Sequence, residues 1–135
     1  MNKQAHSSHS RWLVVDDDVG VRNLVAMMLA SEEGHEVSAF ESPESACAAV
    51  AAQPGAFELV VTDRDMPGLD GLELARRIHA SAPHVRIVMM TGRPDDLTPD
   101  VLGAHGIDAL LAKPFRFAQL ASTLATVFVP CAAAA

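Results

Sequence analysis

Positive charge and aromatic side chains are both scarce in this sequence. Only ten of the 135 residues are lysine or arginine, and the formal net charge is -7. A nucleic-acid-binding surface needs clustered basic residues, so we expect no nucleic-acid partner. Tyrosine is absent, and the only lysines are Lys3, near the N-terminus, and Lys113. Any lysine-dependent site in the body of the chain must therefore use Lys113.

Long hydrophobic runs are missing as well. No apolar stretch approaches the roughly 20 residues that a membrane span needs, and residues 1–10 lack the apolar segment of a signal peptide. The two cysteines, Cys47 and Cys131, show neither metal-ligand spacing nor a disulfide framework. We therefore expect a cytoplasmic protein with free thiols and no membrane contact.

The remaining composition suits one folded domain. Half of the residues are apolar, which is enough for a substantial core at this length. We expect a disordered tail at residues 1–10, a domain at 11–128 and a short C-terminal tail at 129–135. Strand and helix patterns alternate through the domain, and the strands are short and nearly uniformly apolar. Such strands indicate a parallel sheet covered on both faces, hence a doubly wound α/β fold with five strands.

Capping residues and prolines indicate where the helices begin and end. Asp18, Ser42, Asp70 and Thr98 each precede a helical pattern and are predicted N-caps. The fourth helix is predicted to be short and to start near Pro99, after a loop at 92–97, because glycine and proline interrupt this region. The last helix is predicted at 115–128, and its apolar stripe is predicted to contain Phe117, Leu120, Leu124 and Phe128. Four methionines are predicted to fill the core: Met27, Met28, Met89 and Met90.

Polar residues follow four of the five predicted strands at the point where each ends. Asp16, Asp17 and Asp18 follow the first strand, and Asp63 follows the third. Thr91 and Lys113 follow the fourth and the fifth. In an open parallel sheet, ligands bind outside the carboxyl ends of the strands, so these side chains are expected to share one site.

The chemistry of such a site can be argued from its side chains. Adjacent carboxylates repel one another, which raises a pKa unless a cation binds. Carboxylate oxygens suit Mg²⁺, and the cation together with Lys113 attracts and orients a phosphoryl group. A carboxylate in line with the phosphorus can then act as the nucleophile. The sequence therefore indicates magnesium-assisted phosphoryl chemistry.

The motifs resemble those of the receiver domains of bacterial two-component response regulators, including the chemotaxis receivers. The resemblance runs from about Arg11 to about Phe128. Four segments carry it in order: Val14-Val15-Asp16-Asp17-Asp18 with Arg22, Val61 through Gly71, Met90-Thr91-Gly92, and Lys113-Pro114-Phe115. It implies a flavodoxin-like strand order, 2-1-3-4-5, with five helices on the two faces of the sheet.

The resemblance also implies a role for each matching residue. Asp63 would accept the phosphoryl group, with Thr91 and Lys113 contacting it. Mg²⁺ would be held by Asp16, Asp17 and Asp63, and by the backbone carbonyl of Asp65. The donor would be a sensor histidine kinase or a phosphotransfer protein, and the output partner is unknown. The domain would promote its own phosphorylation and slow dephosphorylation without being an enzyme. A phosphorylation-dependent homodimer is kept as an alternative to a monomer.

Two other functions remain open at this point. The segment Asp63-Arg64-Asp65 also resembles the start of haloacid-dehalogenase-type phosphatases, although that interpretation leaves Asp16 and Asp17 without a role. A degenerate receiver that binds partners without phosphorylation is the third interpretation. The sequence is also consistent with either a single-domain receiver or a piece of a longer protein.

Two positions depart from the pattern that the resemblance implies. Many receivers have an aromatic residue three positions before the lysine, where this chain has Leu110. The residue after the threonine is commonly alanine, and here it is Gly92. We therefore expect the acceptor chemistry to be complete and the relay from it to be atypical.

Overall fold

A computed structural model describes residues 10–31 and 35–128. Five parallel strands lie in the order β2-β1-β3-β4-β5. The strands are β1 (Ser10–Val15), β2 (His35–Phe40), β3 (Phe57–Asp63), β4 (Arg86–Thr91) and β5 (Ala109–Ala112). The doubly wound fold and its strand order are confirmed. The predicted tails, apart from Ser10, and Cys131 lie outside the described residues.

Five α-helices connect and cover the strands in the described part of the chain. They are α1 (Val19–Ala30), α2 (Pro43–Ala52), α3 (Gly71–Ser81), α4 (Pro99–Ala104) and α5 (Phe117–Val127). Short 3-10 turns lie at Pro54–Ala56 and Pro94–Asp96. All four predicted caps accept a backbone hydrogen bond in the first turn of their helix. No helix of the described residues is long and apolar enough to cross a membrane.

Two hydrophobic clusters lie on the two faces of the sheet. Successive side chains of a strand point to opposite faces, so Leu13 and Val15 of β1 join one cluster while Trp12 and Val14 join the other. Helices α2, α3 and α4 cover the first face, and α1 and α5 cover the second. Because both faces are covered, nearly every residue of β3 and β4 is buried.

Two sequence predictions about the core were wrong in part. Met89 and Met90 are fully buried, as expected, but Met27 is 71% exposed on α1. Phe117 begins α5 and is 46% exposed, although its spacing suggested the buried stripe of that helix. Helical spacing identifies one face of a helix but does not fix the width of the buried stripe. Met27 on α1 and Phe117 on α5 each lie outside the buried stripe of their helix.

Candidate functional site

Four strands bring polar groups to one edge of the sheet. β3 ends at Asp63 and β4 ends at Thr91, so these two residues are the last of their strands rather than the first of the following loops. Asp16 comes directly after β1, and Lys113 directly after β5. Asp63 is paired with Met90 and Thr91 with Ala112 in the ladder. Pairing within the sheet fixes the backbone from which the Asp63 and Thr91 side chains project.

Three carboxylates meet at this edge. One oxygen each from Asp16, Asp17 and Asp63 lies within 4.8 Å of the other two. Asp16 and Asp63 are buried, whereas Asp17 is exposed. Burial raises the pKa of Asp16, and the nearby charges of Asp63 and Asp17 raise it further, against the lowering effects of the Asp18 N–H and of Lys113. The cluster therefore carries more negative charge than its protein surroundings offset.

Lys113 is the cation of this cluster. Its Nζ donates a hydrogen bond to Asp63 Oδ1 at 2.8 Å and lies 3.7 Å from Asp16 Oδ2. Burial lowers the pKa of Lys113, but the hydrogen bond and charge of Asp63, together with Asp16, outweigh burial and raise the pKa. The ammonium group therefore stays protonated at neutral pH and is shared between two strand ends.

Thr91 ends β4 and contacts the segment that follows this strand. Its side chain is buried, and its Oγ1 accepts a hydrogen bond from the Arg93 N–H at 2.9 Å. The Arg93 guanidinium pairs with Asp65 at 3.2 Å and with Asp96 at 3.4 Å. The Asp65 carboxylate is exposed and lies outside the group of three carboxylates. Its side chain therefore contacts an arginine at the rim of the site.

The sequence motifs assign no role in the site to Gly71 and Arg22, which both lie near the cluster. A Cβ placed on Gly71 would lie 2.3 Å from the Asp63 carbonyl oxygen, so α3 begins in direct contact with the end of β3. Arg22 Nη1 donates to the Asp16 carbonyl oxygen at 2.7 Å. A glycine at the first position of a helix is a weak helix former, and this mismatch was the available signal for Gly71.

A family model for the response regulator receiver domain matches residues 12–125. The chain belongs to this family. Receiver domains generally bind Mg²⁺ in an acidic pocket, and the three carboxylates of this receiver form such a pocket. Membership favours the receiver interpretation over the haloacid-dehalogenase-type phosphatase.

Curated relatives of this receiver are bacterial transcriptional regulators. The transcriptional regulatory protein AruR of Pseudomonas aeruginosa is 38% identical over 115 residues, which cover 83% of this chain and 46% of AruR. The transcriptional regulatory protein FixJ of Bradyrhizobium diazoefficiens is 35% identical over 113 residues, covering 82% of this chain and 53% of FixJ. The chain thus spans about half the length of these relatives.

Solved structures share the fold over nearly all of the chain. The chemotaxis response regulator CheY4 of Vibrio cholerae has a TM-score of 0.75 and 28% identity, covering 89% of this chain and 99% of CheY4. A CheX–CheY–BeF3–Mg complex from Borrelia burgdorferi has a TM-score of 0.82, with 23% identity and 90% of each chain covered. The second likeness shows the fold alone.

Proposed function

We propose that this receiver accepts a phosphoryl group on Asp63, in a reaction that depends on Mg²⁺. The observation that supports Asp63 is its position. It is buried at the end of a central strand, 2.8 Å from Lys113, and shares a carboxylate cluster with Asp16 and Asp17. The donor would be a sensor histidine kinase or a phosphotransfer protein, and the cellular location would be the cytoplasm. The proposed boundaries are 11–128 for the domain, with tails at 1–10 and 129–135.

The donor set fits magnesium. Asp16 Oδ2 is buried and accepts no hydrogen bond from any described residue, which leaves a ligand atom for a cation. Carboxylate oxygens and water are the ligands that Mg²⁺ prefers. Asp16, Asp17 and Asp63 would hold the ion through side chains, and Asp65 through its backbone carbonyl. When bound, Mg²⁺ neutralises charge on the transferring phosphoryl oxygens.

The protein groups have distinct tasks in the transfer. An Asp63 carboxylate oxygen forms the new bond to phosphorus while the bond from phosphorus to the donor histidine nitrogen breaks. The electron pair returns to that nitrogen, and the ring leaves as neutral imidazole if its other nitrogen is protonated, or else takes up a proton from water. Lys113 would donate to a phosphoryl oxygen once Asp63 is esterified, and the Thr91 hydroxyl would donate to another. Lys113 already lies 2.8 Å from Asp63 before the reaction, which lowers the cost of orienting this donor.

The output of this reaction is proposed to be a changed protein-binding surface. Thr91 holds the Arg93 N–H, and Arg93 pairs with Asp65 and Asp96. A Thr91 hydroxyl that turns toward a phosphoryl group would alter its contact with this segment. The change would then reach the surface formed by Pro94–Asp96 and α4. A second copy of the chain or a separate output protein would recognise that surface.

The first prediction tests the acceptor. Radiolabelled acetyl phosphate with Mg²⁺ should label the wild-type chain at up to one phosphoryl group per molecule. Asp63→Asn should reduce labelling to background because an amide is a poor nucleophile toward phosphorus. Asp65→Asn is the matched control, since its carboxylate is exposed and outside the cluster. Asp65→Asn should be labelled, although the lifetime of its phosphoryl group can differ from that in the wild type.

Three other results would each assign a different function. Labelling that persists in Asp63→Asn would contradict Asp63 as the acceptor. Absence of labelling in the folded wild type, from acetyl phosphate and from candidate kinases alike, would indicate a degenerate receiver. Sustained turnover of a phosphomonoester would indicate a phosphatase.

A further inference from the structure

Asp16 is held by three hydrogen bonds that leave one of its oxygens without a hydrogen-bond partner. Its N–H donates to the Phe40 carbonyl at 3.2 Å, and its Oδ1 accepts from the Asp18 N–H at 2.9 Å. Its carbonyl accepts from Arg22 Nη1 at 2.7 Å. The fourth polar atom, Oδ2, is buried without a hydrogen-bond partner among the described residues. Oδ2 lies 3.7 Å from Lys113 Nζ, and the partners of the other three atoms restrict where it can lie beside Asp17 and Asp63.

Arg22 is the side-chain partner in this set. It lies in the first turn of α1, and its backbone N–H donates to the Asp18 carbonyl at 2.9 Å. Its guanidinium extends back across the turn between β1 and α1 and ends on a main-chain carbonyl. Hydrogen bonds from an ionised donor are shorter and stronger than neutral ones. The contact therefore ties the start of α1 to the one residue of the turn that is fully buried.

The Asp16 carbonyl depends on Arg22 for its hydrogen bond. The carbonyl of Asp16 lies one residue beyond the last paired residue of β1, so its acceptor is not satisfied by the sheet ladder. A buried carbonyl without a partner is costly. If Arg22 were shortened, the peptide after Asp16 would gain by turning its carbonyl toward water. That rotation would move Asp16 and Asp17 together.

We infer that Arg22 is a positioning residue for the metal site, acting through the Asp16 carbonyl to aim Asp16 Oδ2 at the ion. The inference rests on the proposed function of Asp16 and Asp17 as Mg²⁺ ligands. It assigns Arg22 no contact with the ion or with the phosphoryl group. A residue that orients a ligand in this way changes metal affinity while leaving the chemistry at saturating metal nearly intact.

The test measures Mg²⁺ affinity directly. Isothermal titration calorimetry with MgCl₂ should give a dissociation constant about 10-fold higher for Arg22→Ala than for wild type. Arg22→Lys should recover part of the loss, because one N–H donor is enough for the carbonyl. Arg77→Ala is the matched control, since Arg77 is exposed on α3 and pairs with Glu73. It should bind Mg²⁺ as wild type does.

Labelling by acetyl phosphate provides the second measurement. In Arg22→Ala, the half-saturating Mg²⁺ concentration should shift by the same factor as the dissociation constant. The labelling rate at saturating Mg²⁺ should stay within about twofold of wild type, as expected when affinity alone is lost. Circular dichroism at the assay temperature confirms that each variant is folded.

The outcomes separate this inference from the proposed function. A folded Arg22→Ala with unchanged Mg²⁺ affinity overturns the role of Arg22, whatever happens to its stability. If Arg22→Ala does not fold, the comparison passes to Arg22→Met, which keeps a long side chain without an N–H donor, and a Mg²⁺ affinity equal to that of wild type overturns the role as well. Labelling that persists in Asp63→Asn would refute the acceptor assignment and leave the calorimetric result standing.

Discussion

At the scale of single residues, the buried negative charge of the acid cluster lowers the stability of the fold and suits the proposed binding of a cation. Asp16 is fully buried, and its raised pKa arises first from that burial and then from the neighbouring charges of Asp63 and Asp17. Lys113 offsets part of this charge but bonds directly only to Asp63. A protein selected for stability alone would replace the Asp16 carboxylate by a neutral group. The proposed Mg²⁺ ligation gives this carboxylate a role that a neutral group could not fill.

Asp16→Asn is therefore expected to raise the free energy of unfolding in EDTA at neutral pH. The raised pKa means that the fold binds a proton on Asp16 more tightly than the unfolded chain does. The resulting stabilisation is fully present below the ordinary pKa of 3.8 and is lost as the pH rises through the higher pKa of the folded state. Asparagine does not ionise, so the variant does not lose this stability as the pH rises. Its side-chain oxygen can still accept a hydrogen bond from the Asp18 N–H.

Urea unfolding of wild type and variant between about pH 3 and pH 7 measures this effect. The advantage of Asp16→Asn should be absent at the acidic end and grow until Asp16 is ionised. Saturating Mg²⁺ should stabilise the wild type more than the variant. Asp17→Asn is the control, because Asp17 is exposed, and should change little without metal. A variant less stable than wild type at neutral pH in EDTA would show that ionised Asp16 is a favourable element of the fold.

At the scale of elements, the contact between β3 and α3 determines where Asp63 is held. The Gly71 N–H donates to the Arg64 carbonyl at 2.8 Å, and the space around Gly71 is filled by the backbone of Asp63 and Arg64. The Arg64 N–H in turn donates to the Met90 carbonyl at 3.0 Å. The end of β3 is thus fixed by β4 beside it and by the first residue of α3. A side chain at position 71 cannot be accommodated without moving one of them.

Gly71→Ala is expected to destabilise the protein by about 1–3 kcal/mol or more, as overpacked sites usually do. The helix propensity of alanine, about 1 kcal/mol better than that of glycine, is too small to compensate for a contact with rigid backbone. Gly92→Ala is the matched comparison. Its Cβ would meet nothing within 4 Å and its φ is not positive. This variant should gain about 0.4–1 kcal/mol from the reduced freedom of the unfolded chain.

Thermal and urea unfolding of both glycine variants measure the difference, and acetyl phosphate labelling of Gly71→Ala reports whether Asp63 has moved. Similar stabilities for the two variants would mean that α3 shifts freely against β3. In that case the position of Asp63 would not depend on the start of α3.

The elements also show what the sequence could predict. Strand ends, caps and helix starts depend on local signals such as Asp18, Asp70 and Thr98, and these predictions agree with the structure. The close approach at Gly71 and the carbonyl contact of Arg22 join residues whose proximity depends on how α1 and α3 pack on the sheet. No local pattern contains that information. The fold and the group of polar side chains were therefore predictable, and the contacts that orient them were not.

The proposed change in the binding surface would pass close to Leu110 and Gly92, the two positions that depart from the pattern of the resemblance. Leu110 is partly buried and packs against the cluster that includes Met89 and Ile107, so a leucine already fills this position. The segment after Gly92 is held by the Thr91 hydroxyl, by exposed ion pairs of Arg93, and by Arg64, whose guanidinium contacts the Arg93 carbonyl and Asp96. Exposed ion pairs contribute little to stability. A Thr91 hydroxyl that turns toward a phosphoryl group, as proposed, would remove one of these contacts.

At the scale of the whole molecule, the acid cluster and the contacts of Trp12 lie at opposite ends of β1. Trp12 lies in β1 four residues before Asp16, about 13 Å along the strand. Its indole N–H donates to Glu58 at 3.0 Å, and its ring stacks on His35 at 3.7 Å and on Phe128 at 5.8 Å. Trp12 thus joins the starts of β1, β2 and β3 to the end of α5, away from the acid cluster.

Trp12 is the only tryptophan, so its fluorescence should report unfolding of the molecule and not events at the site. Titration with Mg²⁺ should leave its emission unchanged, because within residues 10–31 and 35–128 the hydrogen bond and ring contacts of Trp12 involve no residue of the acid cluster. In urea, the fluorescence transition should coincide with the transition in far-ultraviolet circular dichroism, since both hydrophobic clusters share the same five strands. Trp12→Phe should lower the free energy of unfolding by about 1–3 kcal/mol, through the lost hydrogen bond and reduced stacking area. A fluorescence midpoint clearly below that of circular dichroism would show that this end of the sheet opens first and that the two clusters do not unfold as one unit.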